Sequence, residues 1–413
     1  MASDKTILII GTFDTKEDEL GYMEACIAAQ GGKVLTMDVS VLGDTVRNID
    51  ISKHDVAAAV GTNIEGVINS GDENSAMQLM AQGSAKLVSE LFHEARFDGM
   101  IALGGTMGTD LALDCANALP LGVPKYIVST VSFSPLIPSS RLPADVQMIL
   151  WAGGLYGLNN VCKSSLSQAA GAVLGAARAV EPLQKDRPIV GITSLGKSCL
   201  RYMVNLKPAL EERGFEVAIF HSTGMGGRAF ESIAGQGGFV CVMDFCMQEF
   251  TNGVHGSVVH SGSDRLTNAG RSGTPQIVAP GASDIVDFPA WQEPPANLRG
   301  RPSHAHNRLI ASAAITSEER RETARQMAEN LATATGPVHY ILPLGGVEEW
   351  DKEGGDAYDP DGLAAFIDEV RRTIKVPITL TEIEAHINDQ TFTDKALEIF
   401  DAWVADGTVK RNI

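Results

Sequence analysis

The sequence is poor in several things at once. Aromatic residues make up 6% of its 413 positions, there are only six cysteines, and 33 Lys and Arg face 51 Asp and Glu. The cysteines (Cys26, Cys115, Cys162, Cys199, Cys241 and Cys246) are scattered and form no CxxC pair. That excludes a disulfide framework and reads as reduced thiols. The formal net charge of −18 leaves no basic surface able to release counterions from a phosphate backbone, so nucleic acid is not an expected partner. No apolar run of about 18 residues is free of polar or glycine breaks, so no membrane span is expected. Met1-Ala2-Ser3-Asp4-Lys5 leads straight into an apolar strand without the pattern of a secretory leader, which points to the cytoplasm.

What is present is 44% hydrophobic residues and 20% charged ones, in a length suited to two or three domains. Short apolar strands alternate with amphipathic helices, the pattern of a parallel α/β fold. Strands are expected at Thr6–Ile10, Lys33–Val39, Gly99–Leu103 and Lys125–Ser129. A second series runs through Ile189–Thr193, Glu216–Phe220, Phe239–Asp244, Gln276–Ala279, Leu309–Ala313 and His339–Pro343. The charged segment 181–188, with two prolines, separates the series. The expectation is therefore two Rossmann-like doubly wound domains with mainly parallel sheets, residues 1–183 and 188–413, with ligand bound in a cleft between them. The small-residue helix across Gly153–Ala179 must pack closely, and such helices favour a homo-oligomer.

Four segments carry candidate chemistry. Gly11-Thr12-Phe13-Asp14-Thr15-Lys16 lies where the first strand meets the first helix. Gly11 permits a tight turn, Thr12 and Thr15 offer hydroxyls, Asp14 can cap the helix or approach a metal, and Lys16 can meet a phosphate. Asp38 ends the second strand. Gly104-Gly105-Thr106-Met107-Gly108-Thr109 also joins a strand to a helix, where backbone N–H groups can cradle a phosphate. It loosely resembles the GGDGT loop of phosphofructokinase-like and NAD-kinase-like enzymes. The alternative is a tight turn required only by packing.

In the second half, Ser222, Thr223, Gly224, Gly226, Gly227 and Arg228 form a glycine-rich helix start suited to a substrate carboxylate or phosphate. Gly191 to Ser198 matches GxxxxGK[ST], and Phe239 to Asp244 has the form of a Walker-B strand. His255, His260, His304 and His306 fall in one window, without a carboxylate at zinc spacing. Asp244, Glu249, His306 and Glu348 are the candidate catalytic groups of a cleft, the carboxylates because they follow predicted strand ends.

Four motifs in order, Gly11–Lys16, Leu103–Thr109, Phe220–Arg228 and Pro343-Leu344-Gly345-Gly346-Val347, resemble the family of the ATP-binding region of the tomato-mosaic-virus resistance protein and its uncharacterised bacterial relatives. The resemblance spans nearly the whole chain. It implies ATP and Mg²⁺ in the first domain, on Gly11, Thr12, Asp14, Thr15, Lys16, Asp38, Gly104, Gly105, Thr106, Gly108 and Thr109, with Asp14 and Asp38 near the metal. It sets the GxxxxGK[ST] match aside as accidental, because the family pattern has no lysine at Lys197. The family's threonine-rich run after Asp-Phe is also replaced, by Cys246-Met247-Gln248-Glu249. Plant members continue into a TIM-barrel domain resembling phosphoenolpyruvate hydrolases, so a separate barrel protein is an expected partner.

The function expected from these residues is ATP/Mg²⁺-dependent phosphoryl or acyl-phosphate transfer to a small anionic metabolite. Two alternatives stand beside it: a non-catalytic ATP-sensing or assembly subunit, and a metal-assisted enzyme that cleaves a carbon skeleton.

Overall fold

The computed structural model describes residues 4–151, 153, 157–181, 186–196, 199 and 201–411. The chain divides into two compact units, 1–183 and 184–413.

The first unit holds five strands: β1 (Thr6–Gly11), β2 (Lys33–Asp38), β3 (Gly99–Gly104), β4 (Lys125–Ser129) and β5 (Val146–Leu150). They pair all-parallel in the order β2-β1-β3-β4-β5. The central strands are apolar at nearly every position because both faces are covered. Ile7, Ile9, Ile101 and Leu103 face helices Phe13–Ala29 and Asn160–Ala179. Leu8, Ile10, Met100 and Ala102 face helices Glu73–His93 and Thr106–Asn117. Each isoleucine so buried contributes about 1.5–3 kcal/mol relative to exposure. The small residues Ala169, Ala170 and Ala177 let helix Asn160–Ala179 approach helix Phe13–Ala29 closely.

The second unit has a six-stranded parallel sheet in the order β14-β13-β9-β8-β6-β7. Its strands are β6 (Ile189–Ser194), β7 (Glu216–His221), β8 (Cys241–Cys246), β9 (Gln276–Gly281), β13 (Val338–Pro343) and β14 (Thr379–Ile383). Between β9 and β13 the chain inserts a small antiparallel sheet of β10 (Ile285–Pro289), β11 (Ser303–Ala305) and β12 (Ile310–Ala314), ordered β10-β12-β11. One face of the large sheet packs on helices Arg201–Glu212 and Gln390–Ala405, the other on helices Ser317–Leu331 and Pro360–Thr373. The two-Rossmann α/β architecture expected from the sequence is what the chain forms.

In both sheets the first strand lies between the second and third. The connections therefore leave that point in opposite directions and open a crevice beyond the carboxyl ends of the strands.

Candidate functional site

The crevice of the first unit lies between the loops that follow β1 and β3. A cavity of about 690 Å³ occupies it. Thr12, Asp14, Thr15, Lys16, Gly104, Gly105, Thr106 and Gly108 line it, so the two loops singled out from sequence meet at one site. The other three expected residues stand behind the wall. Gly11 is buried, and a Cβ there would press on Leu20 at 2.8 Å. The hydroxyl of Thr109 bonds the Gly105 carbonyl at 2.6 Å and also contacts Ser129, tying the loop to β4.

The two helix starts differ. At helix Phe13–Ala29 the N–H of Phe13 reaches Asp38 Oδ1 at 3.1 Å and that of Asp14 reaches Ser40 Oγ at 3.1 Å. Its first turn is thus partly satisfied from within. At helix Thr106–Asn117 the N-cap is Gly105, which supplies no side-chain cap. A Cβ at Gly105 would meet nothing nearer than Thr130 Oγ1 at 3.9 Å, whereas one at Gly104 would stand 2.6 Å from Gly108 Cα. Gly104 is needed by packing; Gly105 leaves room for a ligand to reach the helix terminus.

Sequence reading missed the apolar wall. Val39, Val41, Leu42, Ile68, Met77 and Met107 line the same cavity. Leu42, Ile68 and Met107 are 78%, 44% and 42% exposed, a cluster of large side chains without cover. They come from stretches far apart along the chain, at 39–42, 68, 77 and 107, so no pattern brings them together in the sequence.

The acid pair Asp14 and Asp38 is joined by Ser40, whose hydroxyl contacts a carboxylate oxygen of each. Asp38 is 4% exposed, and its Oδ1 also takes the N–H groups of Phe13 and Ser40. It braces the β1 loop and does not line the cavity. Asp14 does line it, with Oδ2 accepting the Gly43 N–H at 3.1 Å. Of the two, only Asp14 presents its carboxylate at the cavity wall. Among the described residues no group of three or more His, Cys, Asp or Glu side chains is placed to hold a metal ion.

In the second unit the glycine-rich loop after β7 does hold an anion, but one supplied by the chain. Glu249 Oε2 accepts the N–H of Gly224 at 2.9 Å and of Gly227 at 3.2 Å. A Cβ on Gly227 would sit 1.6 Å from that carboxylate, and one on Gly226 would sit 1.8 Å from the His221 carbonyl oxygen. Arg228 pairs with Asp264 through two bonds of 2.6 and 2.8 Å. Thr223 bonds the His221 ring at 3.0 Å, and Ser222 is fully buried. The groups proposed to receive a substrate anion at Gly224, Gly227 and Arg228 are therefore engaged internally.

Asp244 and Glu249 converge on Arg265, which is 1% exposed. Asp244 accepts both terminal nitrogens of the guanidinium, Glu249 takes Nε at 2.8 Å, and Glu231 takes Nη1 at 3.2 Å. Burial pushes the carboxyls of Glu231 and Glu249 up to about 7 against the pull of Arg265. Asp244 also takes the Thr193 hydroxyl at 2.7 Å. The two acids are the counter-charges of a buried arginine rather than open cleft groups. Arg265 was invisible to sequence reading, since nothing in its spacing links it to Asp244, Glu249 or Glu231. Lys197 and Ser198 of the GxxxxGK[ST] match lie outside the described residues.

Glu348 is fully buried, its Oε2 accepting the Trp350 N–H at 2.8 Å. Burial, reinforced by the nearby Asp284, pushes its carboxyl up to about 10. His306 lines a separate cavity of about 290 Å³. Of the other histidines in its window, His255 bonds Thr323 at 2.9 Å, and His304 pairs with Asp356 at 3.0 Å and stacks on Trp350.

Models of the N-terminal and C-terminal domains of an uncharacterised protein family, UPF0261, match residues 5–182 and 187–404. The chain belongs to UPF0261. A UPF0261 protein of Brucella melitensis is 56% identical over 98% of both chains. One of Clostridium tetani is 34% identical, covering 94% of this chain and 96% of that one. The ToMV susceptible protein tm-1(GCR26) of Solanum lycopersicum is 28% identical over 95% of this chain and 55% of its own. Both UPF0261 domain matches thus coincide with one parallel sheet each.

Proposed function

We propose that the first unit of this UPF0261 protein binds ATP with Mg²⁺ in the crevice between the β1 and β3 loops. The observation that carries the reading is the pairing of an uncapped helix terminus at Gly105 with the uncovered apolar wall of Leu42, Ile68 and Met107 in one cavity. A phosphate chain suits the first, where N–H groups and the helix dipole point at the ligand. A purine ring suits the second. Asp14 is the carboxylate that would meet a phosphate-bound Mg²⁺, which takes only one or two protein ligands in such sites. Lys16 and Thr15 line the same cavity and would face the phosphate chain.

The reaction such a site would serve is phosphoryl or acyl-phosphate transfer, in which positioning and charge neutralisation do most of the catalysis. Calorimetric titration of ATP·Mg²⁺ tests the reading directly. Saturable binding that Gly105→Asp abolishes supports it, and no heat with the parent protein overturns it. A second reading, an ATP-sensing or assembly subunit without turnover, gains from one observation: the second-unit loop expected to hold the acceptor anion is filled by Glu249. An ATPase rate unchanged by any candidate metabolite would favour it.

A further inference from the structure

The second unit has its own crevice, beyond the carboxyl ends of β6, β7 and β8, and this one too contains a cavity. Its volume is about 290 Å³. Three kinds of surface meet there. The floor is polar and buried: Asp287 Oδ1 accepts the Ser312 hydroxyl at 2.6 Å and Gln248 Nε2 at 2.5 Å, while Oδ2 accepts Asn252 Nδ2 at 2.9 Å. Ser312 gives its proton to Asp287 and its oxygen meets Gln248 Nε2 only at 3.5 Å, so one lone pair remains able to accept a donor. One wall is apolar, built from Leu195, Ile310 and the half-buried Trp350. The rim carries His221, His306 and Asn307.

The rim histidine on β7 is held in a defined orientation. His221 Nδ1 lies 3.0 Å from the Thr223 hydroxyl. Its Nε2 points toward Gly196, where a Cβ would stand 3.9 Å away. Asn307 Oδ1 is occupied by the N–H groups of Leu309 and Ile310 at 2.7 and 3.1 Å, which leaves its amide N–H₂ as the outward group. Imidazoles and an amide N–H₂ at a rim, above an aliphatic and indole wall and a hydroxyl acceptor floor, form an ordered set of complements.

We propose that this cavity is a second ligand site, for a short aliphatic hydroxy-carboxylate. The carboxylate sits on His221, His306 and Asn307, the carbon chain lies against Leu195, Ile310 and Trp350, and the hydroxyl donates to Ser312 at the floor. The site is independent of the nucleotide reading, since every residue in it belongs to the second unit.

The titratable groups around the carboxylate end are His221 on β7, His306 on the loop before β12, and Asp287 on β10, with His304 paired to Asp356 behind Trp350. Desolvation, and behind it the charge of His306, hold His221 below the usual imidazole value. A bound carboxylate relieves that repulsion, so binding near neutral pH takes up a proton.

The test is calorimetric titration of 3-hydroxyhexanoate into the full chain at pH 7, in two buffers of different ionisation enthalpy, with hexanoate as the probe lacking the hydroxyl. The expected result is saturable binding with proton uptake. Affinity falls about tenfold or more for hexanoate and for His306→Ala, and the proton uptake of His306→Ala is reduced. His306 is exposed on a loop, so that variant should keep its fold, which its circular dichroism melt would confirm. Gly105→Asp, altered only in the first unit, binds the hydroxy acid as the parent does. The proposal is overturned if 3-hydroxyhexanoate gives no saturable heat up to roughly 10 mM, or if hexanoate or His306→Ala binds equally well.

Discussion

Glu249 lies against the backbone of Gly227 so closely that no other residue fits there. Its Oε2 accepts the Gly227 N–H at 3.2 Å, and a Cβ on that glycine would overlap the carboxylate at 1.6 Å. The helix Met225–Gly235 therefore starts on an anion that the chain itself provides. Removing that anion should be costly but repairable. Glu249→Ala leaves two N–H groups and Arg265 short of an acceptor, and millimolar acetate should recover part of the lost melting temperature. Acetate that leaves the variant's melting unchanged while the parent is equally unaffected would refute this account of the loop.

Arg265 answers three acids in a space closed to water. Breaking a buried charge network from one side strands the remaining charges, at about 3–5 kcal/mol. Arg265→Met should lower stability by that order in urea unfolding. A loss under about 1 kcal/mol would mean that the acids are neutralised some other way.

The two neighbouring glycines of the β3 loop should separate packing from binding. Gly104→Ala drives a Cβ against Gly108 Cα and should reduce stability by about 1–3 kcal/mol. Gly105→Ala meets only Thr130 Oγ1 at 3.9 Å and should melt like the parent, yet weaken ATP binding. Thermal melts beside the titration decide it, and equal loss of stability in both would contradict the geometry.

Glu348 sets a pH dependence with a definite sign. Its carboxyl titrates at an ordinary value of 4.5 when unfolded and is pushed up to about 10 in the fold. Between those values the native state holds a proton that the unfolded state has released, so stability falls as pH rises. This contribution is intact below about pH 4.5 and is lost progressively toward pH 10. Glu348→Gln keeps the acceptor for the Trp350 N–H without the ionisable group. It should raise the melting temperature at pH 8 more than at pH 5. Parallel melting curves for parent and variant across that window would contradict the assignment.

Much of the fold was legible because strands such as β1, β3 and β6 are buried on both faces and so read as unbroken apolar runs. β14 escaped notice because it is an edge strand with exposed Thr379 and Glu382, and its sequence, TLTEI, lacks such a run. β10 and β11 belong to a small insertion whose pairing follows no helix–strand rhythm. At the sites, sequence found the loops that touch through backbone, since glycine-rich strand ends are local signals. It missed groups that meet only in three dimensions, namely Arg265 with its acids, Asp287 with Ser312 and Gln248, and the scattered apolar wall of the first crevice. The glycine loop after β7 reads in sequence as a place for a substrate anion, whereas the group on its N–H donors is Glu249, 25 residues further along the chain from Gly224.

Among the described residues, the antiparallel insertion belongs to the second unit alone, and its strands pair only with one another. Asp287, Ile310 and Ser312 stand on it, while the parallel sheet supplies only the opposite side of the cavity. Its turns and rim can vary between relatives without altering a single strand pairing of the large sheet. For the ligand site proposed above, exchanging residues 285–314 between relatives should therefore carry ligand preference with it.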